Sequence, residues 1–329
     1  MPRVVHEGKT YEIPRDITLL DGLLAQGIDV PFGCRTGTCQ SCLMTCPTGT
    51  PPAASQKGLR ETQVLNGQFL ACQCYPEGEM VVALPHLAET QRAATVERLR
   101  HLNDEIMEVS LRPEGKFLYR AGQFVRLFGP EGFSRSYSLA STPQVDACLV
   151  LHIREYPNGQ LSSWIHHRLV VGDAVSISDP LGECFYIPGH PEQPLLLIGT
   201  GSGLAPLYGI LGEALQHGHT GPIHLYHGAR DVNGLYHHRE LQALVSKHPQ
   251  LDYQACISGT DNPLPSHILR GRASDIALGE HPDLKGWRVY LCGNPEMVRS
   301  TQMQAYLAGA ALNEIHADPF DAQSPTASP

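Results

Sequence analysis

The chain has little of what would make it a membrane, secreted or polyanion-binding protein. No apolar run approaches the ~20 residues of a membrane span; the longest, around Leu195 to Ile198, is the length of a strand. The opening MPRVVHEGKT has no apolar signal-peptide core, so a cytoplasmic location is expected. Basic residues are in deficit: 24 Lys and Arg face 33 Asp and Glu, for a net charge of −9. That balance argues against nucleic acid and anionic membranes as partners. No internal repeat is visible, and no residues suggest a Ser-His-Asp triad. The histidines, among them His166–His167 and His237–His238, show no metal-ligand spacing and read as surface or turn residues.

What is present is a globular composition over 329 residues, too long for one ordinary domain. Ten cysteines in a cytosolic chain of this size suggest metal binding or catalysis rather than disulfides. Their distribution is uneven. Cys34, Cys39, Cys42 and Cys72 form C-x4-C-x2-C followed by a distant fourth cysteine. This is the spacing of plant-type 2Fe–2S ferredoxins. Three thiolates must converge from one loop, and Gly33 and Gly37 let that backbone turn tightly. A structural zinc site would show paired C-x2-C units, and only one is present. Spacing favours Cys72 over Cys74 as the fourth ligand, and Cys46 reads as a free buried thiol.

Hydrophobic periodicity divides the rest of the chain. Residues 1–90 alternate short strands with Gly- and Pro-rich loops. A hairpin is expected around Glu7, Gly8 and Lys9, and a short helix from Thr18 to Gln26, closed by Gly27. Residues 85–94 read as a linker. From 95 to 190, strand-like runs such as Gln123–Leu127, Cys148–Ile153 and Ala174–Ile177 suggest a small antiparallel barrel. From 191 to 320, strands at Leu195–Ile198, Ile223–Tyr226, Tyr253–Ile257 and Val289–Leu291 alternate with helical stretches at Pro206–Gln216, Tyr236–Lys247 and Pro295–Leu307. That alternation predicts a doubly wound parallel sheet. Residues 321–329, DAQSPTASP, read as a disordered tail.

Three further motifs carry chemistry. GTGSGLAP, Gly199 to Pro206, follows an apolar strand and opens a helix, where bare backbone and free amides suit phosphate. Its spacing is G-x-G-x-G, not the usual dinucleotide fingerprint, and a ligand-free βα turn would look the same. RSYS, Arg135, Ser136, Tyr137 and Ser138, offers a phosphate partner, a flat ring and a hydroxyl; an ordinary strand with an exposed arginine fits it equally. CGNPEMV begins with Cys292, Gly293 and Asn294 at a strand's carboxyl end, where such sheets bind ligands. A buried cysteine there is otherwise a small hydrophobe.

In order and content, CRTGTCQSC, FLACQC, RSYS, HIR followed by NGQLSS, DPLG, GTGSGLAP, GAR, CGNPEM and IHADPF resemble the reductase components of bacterial multicomponent oxygenases. The resemblance spans almost the whole chain and is strongest to naphthalene-type dioxygenase reductases. It implies a multidomain α+β and α/β protein: a β-grasp 2Fe–2S ferredoxin domain, an antiparallel β-barrel for FAD, and a nicotinamide domain for NADH or NADPH. It implies a monomer that passes electrons to an oxygenase component or its shuttle ferredoxin. A diiron monooxygenase, a deoxysugar dehydratase, or a redox-sensing module without steady turnover are the alternatives.

The resemblance also assigns roles. Arg135, Tyr137 and Ser138 would hold the isoalloxazine and its phosphate. His152, Ile153 and Arg154 would pass along the ribityl and pyrophosphate, and Gly159, Ser162 and Ser163 would bind pyrophosphate. Gly199, Thr200, Gly201, Ser202 and Gly203 would cradle the nicotinamide dinucleotide, with Arg230 placed to meet a 2′-phosphate. Ser138, Cys292 and Phe320 would lie on the hydride path, Phe320 covering the flavin face. Gln40 stands where many members have Gly, Asp179 where Gly is common before Pro180, and Gly234 where many NADH users have Asp.

Overall fold

A computed structural model describes residues 2–84, 91–260 and 263–320. The disordered tail expected at 321–329 and most of the linker expected at 85–94 lie outside these residues. The chain divides into two compact units, Met1–Thr90 and Gln91–Pro329.

The first unit is a five-stranded sheet carrying two short helices. Its strands are β1 (Arg3–His6), β2 (Lys9–Glu12), β3 (Leu43–Thr48), β4 (Gln68–Leu70) and β5 (Met80–Ala83), in the order β2-β1-β5-β3-β4. The expected hairpin forms, with Glu7 and Gly8 in left-handed backbone at its turn. Helix α1 (Leu19–Ala25) starts at Thr18, whose hydroxyl accepts the amide of Asp21 at 3.1 Å. Leu19, Leu20 and Leu23 face the core because they recur at helical spacing. Gly22 lies so close to β2's end that a Cβ would meet Ile13 at 2.7 Å. Helix α2 (Glu61–Leu65) precedes β4.

The second unit has two sheets. Strands β6 (Gln91–His101), β7 (Ile106–Pro113), β8 (Phe124–Phe128), β9 (Ser134–Ser138), β10 (Leu149–Arg154) and β11 (Ala174–Ser178) form an antiparallel sheet ordered β10-β7-β6-β11-β8-β9. A bridge between Leu139 and Leu151 joins its two edges, closing a barrel around Val109, Leu111, Val125, Leu127, Leu151 and Ile153. Strand β6 begins four residues earlier than the β-rich region the sequence suggests, because Gln91 to Ala94 pair with β11. Asp179, at the position expected to hold Gly, makes an ion pair with Arg92 on β6. Helix α3 (Gln160–His167) buries Leu161 and Ile165 in the barrel core.

The remaining strands are β12 (Leu195–Thr200), β13 (Ile223–Ala229), β14 (Leu251–Ile257), β15 (Ile268–Arg270), β16 (Arg288–Gly293) and β17 (Ile315–Pro319). They form an all-parallel sheet ordered β15-β14-β13-β12-β16-β17, flanked by α4 (Leu204–Gln216), α5 (His238–Val245), α6 (Ala273–Glu280) and α7 (Pro295–Leu307). The order reverses between β12 and β16, so a crevice opens at their carboxyl ends. Central strands buried on both faces read as continuous apolar runs, hence LLLIG and VYLC. The one charge in β16, Arg288, is buried and paired with Glu314 at 2.6 Å. No described helix is long and apolar enough to cross a membrane.

The reading of the histidines needs correction. His6, His152, His219, His227 and His316 are buried. A lone histidine between apolar neighbours in a strand carries no periodicity signal of its own, so only packing reveals its burial.

Candidate functional site

The cysteine site is built on the loop between α1 and β3. Cys34 and Cys39 are exposed; Cys42 and Cys72 are buried. The Cys34 amide donates to Cys39 Sγ at 3.3 Å, and the Cys39 amide returns a bond to Cys34 Sγ at 3.3 Å. The Thr36 amide adds a third at 3.4 Å. Hydrogen bonds from Thr36 and the Cys39 amide lower the Cys34 thiol to about 5; the Cys34 amide chiefly lowers Cys39. Such donors favour thiolate, the form that binds iron. Cys42 interacts with Cys72, and burial raises it to about 11. The Ala71 amide bonds the Cys42 carbonyl at 3.0 Å, tying the two strands that present this pair. Cys74 points elsewhere, toward Ser55 and Cys46, and burial pushes it to about 12. Four thiols in two pairs, lined by backbone amides, suit a 2Fe–2S cluster.

Backbone strain marks the same loop. Gly37 has φ +82°, as its glycine predicts, but Arg35 and Gln40 also sit in left-handed backbone, at +58° and +57°. Gln40 thus occupies a conformation a glycine would adopt freely, at a cost of about 1 kcal/mol. Its side chain offsets part of this by donating to the Gly58 carbonyl at 3.3 Å.

The second site lies at the switch point of the parallel sheet. A cavity of about 820 Å³ brings together Arg154, Thr200, Gly201, Ser202, Arg230, Gly293, Asn294 and Phe320. Gly203 and Gly199 do not line it; they make it possible. A Cβ on Gly203 would stand 2.3 Å from the Cys292 carbonyl, and one on Gly199 would meet Leu207 at 2.7 Å. The first contact seats the turn directly on β16, the second against helix α4. Thr200 Oγ1 accepts the Asn294 amide at 3.1 Å, and Asn294 caps α7 by accepting the Met297 amide. Arg154 is ion-paired with Glu105 at 2.6 Å, beside the turn.

Ser138 and Cys292 sit deeper, where the barrel meets the sheet. Ser138 Oγ donates to Asp318 Oδ2 at 2.8 Å. Burial raises the Asp318 carboxyl to about 6, against the Ser138 bond, which lowers it. Asp318 pairs in register with Cys292 across β17 and β16, and the Phe320 amide donates to the Gly293 carbonyl at 2.8 Å. Cys292 is fully buried with its Sγ 3.7 Å from Cys184. Asp318 is absent from the residues singled out by the sequence. Its signal was present in IHADPF, two positions before Phe320, but one acid in a strand has no pattern to announce it.

Other expected residues lie outside this cavity. Arg135 donates to its neighbour's carbonyl at Ser134, Ser136 is exposed, and Tyr137 packs against the barrel core. Gly159 caps α3, and Ser162 Oγ accepts the Tyr156 amide at 3.3 Å, with Ser163 on the next position of the helix. Ile153 faces the barrel interior, whereas His152 and Arg154 project from the opposite face of β10. Where an Asp is common, Gly234 gives its amide to Asp231, whose carboxylate therefore borders the cavity from a different position. A strand, a hydroxyl and a bare turn with these neighbours fit a flavin and a dinucleotide.

Comparison with known proteins agrees with this division. A 2Fe-2S iron-sulfur cluster binding domain matches residues 4–77, an oxidoreductase FAD-binding domain 94–186, and an oxidoreductase NAD-binding domain 197–303. The chain is 30% identical to the ferredoxin–NAD(P)+ reductase component of the naphthalene 1,2-dioxygenase/salicylate 5-hydroxylase systems of a Ralstonia species, over 92% of this chain and 93% of that one. It is also 30% identical to the phenol hydroxylase P5 protein of Acinetobacter pittii, over 95% and 92%. Among solved structures, the Amycolatopsis cytochrome P450 reductase GcoB superposes with a TM-score of 0.68 at 28% identity, covering 97% of this chain and 99% of its own.

Proposed function

This chain belongs to the family of 2Fe–2S flavoprotein reductase components of bacterial multicomponent oxygenases, and we propose that it carries electrons from NADH to an oxygenase component or its shuttle ferredoxin. It is an NAD(P)H-dependent oxidoreductase with 2Fe–2S, FAD and nicotinamide-binding domains. When bound, these groups supply hydride transfer from nicotinamide to flavin and single-electron delivery through the cluster.

The protein's own residues position and insulate. We assign residues 1–90 to the cluster, with Cys34, Cys39, Cys42 and Cys72 as ligands. Residues 95–190 take the flavin, with Arg135 on phosphate and Ser138 offering its hydroxyl to the ring. The backbone from His152 to Arg154 runs along the ribityl chain, and Gly159, Ser162 and Ser163 meet the pyrophosphate. Residues 191–320 take the nicotinamide nucleotide at the amides of Gly199 to Gly203, where the start of α4 favours negative charge. Phe320, which lines the cavity, would cover a flavin held there and shield it from water. The observation that carries this reading is the 2.8 Å bond from Ser138 to Asp318, which joins the barrel to the last strand of the parallel sheet. It sets a barrel hydroxyl and a carboxylate from the last strand beside Cys292 and Phe320.

Charge favours NADH. Asp104, Glu105, Asp231, Asp275 and Glu296 line the cavity against Arg154, Arg230 and Arg272, and this excess of carboxylates opposes a 2′-phosphate. Equal identity to the naphthalene and phenol systems leaves a monooxygenase partner as a second reading. We read the protein as a monomer that engages neither nucleic acid nor membrane.

The test is an anaerobic NADH titration of the cluster-loaded holoprotein, followed by visible and EPR spectra. Flavin bleaching with a reduced 2Fe–2S signal is expected. Bleaching only with NADPH would reverse the nucleotide choice, and no response to either would end the reductase reading. Rapid NADH-driven reduction of cytochrome c is expected and would exclude a sensing module without turnover. Stimulation of a dioxygenase but not a phenol-type hydroxylase would separate the two partner readings.

A further inference from the structure

Three ligand-bearing side chains meet outside the cysteine loop and the cavity, among them that of His152, whose backbone is assigned to the flavin. Glu108 on β7 and His152 on β10 are directly opposed across the barrel sheet. His237, at the start of α5, comes to them from the other half of the unit. One potential ligand atom from each lies within 4.8 Å of the others. All three side chains are enclosed: Glu108 and His237 are 5% and 6% exposed, and His152 is buried.

The imidazoles are aimed by their second nitrogens. His152 Nδ1 bonds the Tyr236 hydroxyl at 3.2 Å, leaving Nε2 as its other ligand atom. His237 turns Nδ1 toward Glu240 at 3.7 Å, and its ring stacks on Tyr208 at 4.8 Å. Its Nε2 is buried without any hydrogen-bond partner. An unpaired buried nitrogen costs about 1–3 kcal/mol, so a ligand there relieves a penalty already present. A second cavity bordered by Arg100, Tyr236, His237 and Glu240 brings solvent to one of the three, His237.

We propose that Glu108, His152 and His237 form a binding site for one divalent cation of the zinc class. Two imidazoles and one carboxylate with an open position are a donor set that suits zinc. Glu108 is now paired with Arg98 and Arg100 at 2.8 and 2.7 Å, and both guanidinium side chains are about half exposed. On binding, the cation replaces them and they turn out to water. Because ligands come from the barrel and from the segment entering α5, the ion staples the two halves of the unit. The site is distinct from the cysteine loop and from the cavity holding Phe320.

The test uses the FAD- and cluster-loaded holoprotein, stripped with a mild chelator and dialysed against Zn²⁺ alone. One Zn²⁺ per chain is expected, with zinc K-edge absorption showing only nitrogen and oxygen ligands. Glu108→Gln and His237→Gln are expected to weaken binding at least about tenfold. Arg100→Gln, which removes a competing cation, should bind at least as tightly as the parent and guards against loss through misfolding. Sulfur in the zinc shell, no stoichiometric binding, or unchanged affinity in His237→Gln would each overturn the proposal.

Discussion

The cysteine loop and the flavin–nicotinamide cavity reach function by opposite routes. Three of the four thiols come from one nine-residue stretch, Cys34 to Cys42, and its backbone amides shape their chemistry. The cavity and the buried residues behind it draw Thr200, Phe320, Ser138, Cys292 and Asp318 from four strands and the residue beyond the last. The loop's geometry is local, so its cost is local: left-handed backbone at Arg35, Gly37 and Gln40. The cavity's geometry is tertiary, so its cost appears as close packing and as a buried carboxyl. A local site tolerates changes in the remote core, whereas an assembled site is exposed to any shift between sheets.

Four experiments would break or sharpen that contrast. The largest effect is expected for Cys72→Ser, the proposed ligand remote from the loop. Cluster content should be lost and NADH-driven cytochrome c reduction should fall by more than about a hundredfold, as removal of an obligatory carrier requires. Flavin reduction by NADH should persist, and normal cytochrome c reduction would contradict the ligand assignment. Next is Gly203→Ala. Its methyl meets the Cys292 carbonyl at 2.3 Å, so the turn must lift from β16. Overpacking of about 1–3 kcal/mol predicts KM for NADH raised roughly tenfold to a hundredfold, with cluster content intact.

Asp318→Asn tests the buried carboxyl. Its folded pKa, about 6, stands above the ordinary 3.8 because burial disfavours the charge. A raised pKa means that stability is lost as pH rises from 3.8, where the unfolded carboxyl ionises, up to the folded value of about 6. The asparagine should therefore be more stable than the parent at pH 8, on the order of 2 kcal/mol, with the gain fading toward pH 4. Denaturation followed by flavin fluorescence at pH 8 and pH 4 would measure it, and an equal gain at both would exclude ionisation as the cause. The smallest effect is expected for Phe320→Ala. Loss of ring stacking, about 0.5–1.5 kcal/mol, should shift the NADH-to-NADPH ratio of kcat/KM by up to roughly tenfold. An unchanged ratio would argue against its covering role.

Legibility followed the same divide. Cysteine spacing and GTGSG were readable because each is a short stretch with a fixed backbone task. Strand and helix positions in the parallel sheet were readable because buried strands are apolar runs, although short β15 and the polar-faced β17 escaped notice. Asp318 and His237 were not readable as partners of Ser138 and His152. They lie 180 and 85 residues away, and no periodicity relates residues on different sheets.

The sequence by itself determined the cysteine spacing, the glycine-rich strand–helix turn and the passage from antiparallel strands to alternating strands and helices, because spacing and hydrophobic period act over a few residues. Only the tertiary structure decided which acid meets Ser138, why Asp179 is tolerated opposite Arg92, and which histidines are buried without partners. Those outcomes depend on how strands distant in sequence come into register, and on the burial that register imposes.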